Sequence, residues 1–344
     1  MNIMSPIQIR GLELKNRIVM PPMCQFCVEK KDGKATDWHF VHYVSRAIGG
    51  TGLILVEMCN VEPRGRITDF CLGLWDDEQI EPLRRIVDAC RPYGTKMGIQ
   101  IGHAGRKATD AKEPVSCSPI AFSEDFRTPR ELSTEEVYEM IESWGRAISR
   151  AVSAGFDTIE LHGAHGYLIH QFQAPRTNRR SDEFGKDPAL FGKLLVQKAR
   201  SRMPEEMPLI FRLSAIEYVE EGYGLDYAVA LCRQYRDAGV DLFHVSSGGE
   251  SPLVGSFGRI TSGPGYQLPF ARAIREALEV PVIAVGKLDE PALANAVLTN
   301  KDADLVAVGR GMLRNPNWVW EACLKLGIPA SPTKQIEAGF PKLK

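Results

Sequence analysis

Eight short, mostly apolar and β-branched runs recur along the chain, each separated from the next by a longer segment of mixed polarity. They are Arg17–Met20, Gly52–Glu57, Met97–Ile101, Thr158–Leu161, Leu209–Leu213, Leu242–Val245, Val282–Val285 and Leu305–Val308. Continuous apolar runs of this length read as strands covered on both faces, and such strands belong to parallel sheets. The intervening helix candidates include Asp37–Ala47, Glu78–Cys90, Thr134–Ser153, Leu225–Asp237 and Glu290–Leu298. Ser133 before Thr134-Glu135-Glu136, and Asp289 before Glu290-Pro291, read as N-caps. Eight strand–helix units is the number that closes a (β/α)8 TIM barrel. The rival is an open doubly wound sheet. Its dinucleotide fingerprint should follow the first strand, yet Met20-Pro21-Pro22-Met23-Cys24 contains no glycine. The barrel is therefore expected over residues 1–327, with 328–344 as a C-terminal tail at a subunit interface. Met4–Glu13, with Gly11 in its middle, reads as a hairpin plugging the barrel floor.

Forty-two basic against 43 acidic residues leave a net charge of −1, too little field for non-specific binding to nucleic acid or an anionic membrane. No stretch approaches the roughly 18 apolar residues of a membrane span, and Met1–Arg17 lacks the apolar segment of a secretory signal. Eight cysteines are too sparse for a disulfide framework and fit a reducing cytoplasm. Cys24 and Cys27 form one CxxC pair with no second pair at zinc-ribbon spacing, so no structural metal is expected.

Two connections are long, Ala104–Ser133 and Ser246–Gly265. Both follow strand C-termini, the face where a barrel places its site. Three glycine-bearing turns follow the last three strands: Ser246-Ser247-Gly248-Gly249, Val285-Gly286-Lys287 and Val308-Gly309-Arg310. Glycine lets backbone N–H groups approach an anion, and Arg310 adds a fork for phosphate oxygens; the bland alternative is chain reversal alone. After strand 4 comes His162-Gly163-Ala164-His165-Gly166-Tyr167. The two histidines could bind a metal with His103 as a third ligand, could hold a substrate oxygen while Tyr167 delivers a proton, or could be structural. Gln100 and Arg212 interrupt apolar strands. A buried Arg212 needs an acceptor, either Glu57 or Glu160 within the barrel or a planar, electron-rich ligand across its mouth.

Four motifs carry a resemblance that spans nearly the whole chain. Leu14–Cys24, Gly102-His103-Ala104-Gly105-Arg106-Lys107, His162–Phe172 and Val308-Gly309-Arg310 resemble, in order, the Old Yellow Enzyme family of flavin-dependent ene-reductases, in its thermophilic-like bacterial subgroup. The resemblance implies non-covalent FMN, NADPH or NADH as reductant, and small enones or enals as substrates in a ping-pong reaction. It places Pro22, Met23, Cys24, Met58, Gln100, Arg212, Ser247, Gly286, Gly309 and Arg310 at the cofactor, with Arg212 near flavin N1 and Arg310 on the phosphate. It places Cys24, Phe26, Ile67, Lys107, His162, His165 and Tyr167 at the substrate. The histidines would take the carbonyl oxygen and Tyr167 would protonate the α-carbon. Arg106 and Lys107 would attract a nucleotide phosphate or serve only as solvated loop charges. Phe26 stands where the subgroup has a tyrosine, and Met58 where it has a small residue. Ala338 stands where the subgroup has an arginine reaching into a neighbouring subunit, so the homo-oligomer, dimer or tetramer, is expected to lack that arginine.

Overall fold

The computed structural model describes residues 1–250 and 263–340. Two strands, β1 (Ile7–Ile9) and β2 (Leu12–Leu14), form an antiparallel hairpin. Eight parallel strands then close on themselves: β3 (Ile18–Met20), β4 (Leu53–Asn60), β5 (Lys96–Gly102), β8 (Thr158–Gly163), β9 (Leu209–Ser214), β10 (Leu242–Ser246), β11 (Val282–Val285) and β12 (Leu305–Ala307). They neighbour one another in chain order, and β12 returns to β3 through Val306 opposite Ile18. All eight expected runs are barrel strands, and every residue of β4, β8, β9 and β10 is buried. Between β5 and β8 lies a short parallel pair, β6 (Val115–Ser116) with β7 (Arg130–Glu131).

The helices pack outside because their apolar residues fall on one stripe. The helix Thr134–Ser153 buries Val137, Met140, Ile141, Trp144 and Ile148 at spacings of three and four. Each such side chain contributes about 1.5–3 kcal/mol on burial. Its start is the expected capping box: Ser133 Oγ accepts from Glu136 N at 3.2 Å, and Ser133 N donates to the Glu136 carboxylate at 2.8 Å. The other expected cap is corrected. Glu290, not Asp289, occupies the cap position of Pro291–Thr299, while the Asp289 carboxylate is taken by Arg314.

The hairpin does plug the floor. Ile9, Leu12 and Leu14 pack with Leu53, Ile210, Leu242, Ile283 and Leu305, which lie at the first or second residues of their strands. With the N-terminal end sealed, the C-terminal end is left for chemistry. Among the described residues no helix is long and apolar enough to cross a membrane.

Candidate active site

Strand β8 ends at Gly163, and the turn after it carries both histidines and the tyrosine. The Ala164 N–H donates to His162 Nδ1 at 3.3 Å. In a neutral ring that leaves the proton on Nε2, which makes no hydrogen bond to a described residue. His165 adopts a left-handed backbone, φ 60°. Its N–H donates to Ser214 Oγ at 3.1 Å, and its Nε2 lies 2.7 Å from Ser246 Oγ. The two imidazoles meet edge to face, centroids 5.2 Å apart, and the His162 ring meets Tyr167 in the same way at 5.0 Å. The Tyr167 hydroxyl has no hydrogen-bond partner among the described residues.

Burial sets the protonation states. Desolvation, and then the charge of Arg212, hold both imidazoles well below the ordinary histidine range. Desolvation likewise lifts the Tyr167 phenol far above its usual value. The trio thus presents neutral donors at physiological pH.

On one side of the pair lies a cavity of about 470 Å³ at the ends of β3 and β9–β12. Pro22, Met23, His165, Arg212, Ser247, Gly286, Gly309 and Arg310 all line it. On the other side, Tyr167 packs with Met58, Ala104 and Ala108, against which Cys24 and Ile67 lie. Most of the expected residues therefore fall on two adjoining faces joined by the histidines, while Gln100 lines neither and bonds instead to Glu160. Met58 fills the space that a side chain at position 102 would need: a Cβ on Gly102 would stand 2.4 Å from its sulfur. Cys24 is held a thiol, since desolvation and the nearby Glu57 carboxylate push its pKa up. Phe26 sits at the surface, 41% exposed, also with a left-handed backbone.

Three readings are settled by hydrogen bonds. First, Arg212 pairs with neither proposed carboxylate. Glu57 takes Gln25 N at 2.9 Å and faces His39 at 3.3 Å. Glu160 takes Gln100 Nε2 at 2.7 Å on one oxygen and faces His244 Nδ1 at 2.7 Å on the other. Arg212 is 7% exposed, its guanidinium donates no hydrogen bond to a described residue, and its Nε is fully buried without a partner. Second, His103 does not join the histidine pair. Its Nε2 faces Glu62 at 2.9 Å and its Nδ1 accepts the Gly105 N–H at 2.9 Å. Third, Arg106 and Lys107 are not solvated loop charges. Arg106 forms a buried ion pair with Glu250 at 2.6 Å, and Lys107 Nζ donates to His165 O at 2.8 Å and Gly249 O at 2.7 Å.

Sequence reasoning missed Gln267, whose Oε1 accepts from Ser247 Oγ at 2.6 Å and whose Nε2 donates to Val285 O at 2.8 Å, bracing the cavity wall. It also missed Ser246, Ser214 and Tyr266. Gln267, Ser214 and Ser246 carry no local signal of these contacts, because each acts through a partner distant along the chain.

The profile of the NADH:flavin oxidoreductase / NADH oxidase family matches residues 2–327. The chain belongs to this family. An NADPH dehydrogenase of Listeria monocytogenes serotype 4b (strain CLIP80459) is 44% identical over 339 residues, covering 98% of this chain and 99% of that protein. One from Geobacillus sp. (strain WCH70) is 41% identical, covering 98% of each. A solved structure of morphinone reductase in complex with tetrahydroNAD superposes with a TM-score of 0.80 at 25% identity, covering 100% of this chain and 97% of that one. This NAD(P)H-dependent flavin oxidoreductase of Old Yellow Enzyme type therefore uses FMN as cofactor. The residues present fit that group. An unpartnered buried guanidinium lines the cavity, Arg310 at its rim makes no hydrogen bond or ion pair with a described residue, and Gly286 lines it at φ 126°, a conformation that excludes an ordinary side chain.

Proposed function

We propose that this flavin oxidoreductase reduces the activated C=C bond of α,β-unsaturated ketones and aldehydes with hydride from NADPH or NADH. One site serves both half-reactions in turn, which makes the kinetics ping-pong. The observation that carries the reading is the convergence of His162, His165 and the unengaged Tyr167 hydroxyl beside the cavity. Arg310, Gly286, Gly309 and Ser247 would hold the FMN phosphate, while Arg212 and Gln100 would face its ring. Bound FMN supplies the hydride relay between nicotinamide and alkene.

The chain's own residues do the rest. His162 Nε2–H and the His165 ring donate to the carbonyl oxygen, drawing electron density from the alkene so that its β-carbon accepts hydride. Neutral donors suit this task, because they strengthen as negative charge grows on the oxygen. Donors of this kind are worth about 10²–10³ in rate each. Tyr167 then gives its hydroxyl proton to the α-carbon, and solvent restores it. Cys24, Met58 and Ile67 form the apolar wall that keeps water from the reacting carbon.

Product analysis tests the reading. Incubated under argon with NADPH and 2-cyclohexenone, the enzyme should yield one cyclohexanone per NADPH oxidised. Formation of cyclohexenol, or NADPH oxidation only when oxygen is admitted, would refute it.

A further inference from the structure

The position of His165 is imposed from outside its own turn. A left-handed backbone at a non-glycine residue costs on the order of 1–3 kcal/mol and persists only where the surroundings hold it. Here both backbone polar groups of His165 are taken by side chains from other elements. Its N–H donates to Ser214 Oγ, at the end of β9, at 3.1 Å, and Ser214 Oγ in turn donates to Gly248 O at 2.7 Å. Its carbonyl accepts from Lys107 Nζ at 2.8 Å, and the same ammonium donates to Gly249 O at 2.7 Å. The turns 165–166 and 248–249 touch backbone to backbone. A Cβ on Gly249 would stand 2.2 Å from His165 Cα, and one on Gly166 would stand 2.3 Å from Gly249 O. Neighbouring Arg106 closes the same seam through Glu250.

We infer that Lys107 is a positioning residue: its ammonium, with the Ser214 hydroxyl opposite, clamps the His165 turn to the turn after β10 and so fixes the imidazole for substrate oxygen. Lys107 is 8% exposed, and its ammonium stands 4.0 Å from the Phe122 ring and 5.5 Å from the Tyr167 ring. Its stem is enclosed and its charge is spent on two carbonyls. A nucleotide phosphate would have to compete with both. Ser214 ends β9 and Lys107 lies in the turn Gly105–Lys107 after β5, so losing either one frees one end of the same backbone.

The inference rests on the ene-reductase reading for what His165 does, and its test separates the two. The probe is 4-hydroxybenzaldehyde, titrated into FMN-loaded enzyme and followed by the long-wavelength absorbance of a phenolate stacked on oxidised flavin. Lys107→Met keeps the stem and removes the donors; Ser214→Ala frees the other end. Each should weaken phenol binding about ten-fold, in keeping with the sensitivity of active sites to small misplacements. The double variant should be little worse than either alone, because both act on one turn. Lys107→Arg should recover most of the loss, and FMN should stay bound throughout. Should Lys107→Met fail to fold, the Lys107→Arg and Ser214→Ala arms still decide. Phenol binding within two-fold of wild type in Lys107→Met, or in Ser214→Ala where Lys107→Met does not fold, would overturn the clamp. So would a defect confined to the KM for NADPH with that for NADH unchanged, which would make Lys107 a phosphate contact. If wild type binds the phenol but leaves 2-cyclohexenone unreduced, the function falls while the titration still tests the clamp.

Discussion

Replacing Arg212 with methionine separates a residue kept for stability from one kept for a ligand. Arg212 is 7% exposed, its Nε is buried without a partner, and the barrel carboxylate that attracts it, Glu160, is committed to Gln100 and His244. Desolvation holds its pKa below the usual arginine value, offset only in part by Coulombic attraction, first to Glu160 and then to Cys24, Tyr167 and Tyr266. Replacing poorly compensated buried charge by an apolar side chain of similar volume is commonly neutral or stabilising by roughly 1–4 kcal/mol. Stripped of FMN, Arg212→Met should therefore unfold in urea at the wild-type midpoint or above it. With FMN the sign reverses. A charge-assisted hydrogen bond to a ligand is worth about 1.5–3 kcal/mol, so FMN affinity should fall roughly 10- to 150-fold in a fluorescence-quenching titration. An apoprotein destabilised by several kcal/mol, with FMN affinity unchanged, would show that Arg212 serves the barrel and refute the reasoning.

Tyr167→Phe removes a hydroxyl with no partner among the described residues, so stability should change by less than about 0.5 kcal/mol. In stopped flow, its flavin reduction by NADPH should match wild type while reoxidation by 2-cyclohexenone slows by roughly 10²–10⁴, the range of general-acid catalysis; equal slowing of both phases would remove the proton-donor role. Burial depresses the folded-state pKa of His162 and His165, so below about 6.5 the unfolded chain binds protons that the native state does not. Stability should then fall with pH by up to about 1.4 kcal/mol per unit for each histidine, and His162→Asn/His165→Asn should flatten that slope in urea melts between pH 6.5 and 4.5. Gly102→Ala places a methyl 2.4 Å from the Met58 sulfur and should cost about 1–3 kcal/mol, relieved in Gly102→Ala/Met58→Ala; additive losses would mean the two do not share that space.

The barrel was legible because two-sided burial erases the alternation of an exposed strand, and eight runs such as Ile159–Leu161 and Leu209–Phe211 show it plainly. The floor hairpin was legible from apolar residues flanking Gly11. The histidine–tyrosine turn stood out within six contiguous letters, His162 to Tyr167, but those letters alone left a metal site, a substrate-oxygen site and a structural role equally open. What stayed hidden depends on register. Gln100 lies opposite Glu160, and Arg212 lies opposite both His162 and His244. Only that alignment commits Glu160 to Gln100 and His244, leaving Arg212 unpaired. Lys107 read equally as a phosphate contact or a solvated loop charge, because nothing local reveals that its ammonium meets two carbonyls from distant turns. The cap before Pro291 was misplaced by one residue, since an aspartate makes the better cap on propensity alone while Arg314 claims Asp289 from across the fold.

The account stands most directly on one anaerobic visible spectrum, recorded in two steps. The purified protein should be yellow, should bleach on a stoichiometric addition of NADPH, and should regain its colour when 2-cyclohexenone is added. A bleached protein that stays colourless with the enone and recovers only on admitting air would contradict the assignment of the His162–His165–Tyr167 turn to alkene reduction.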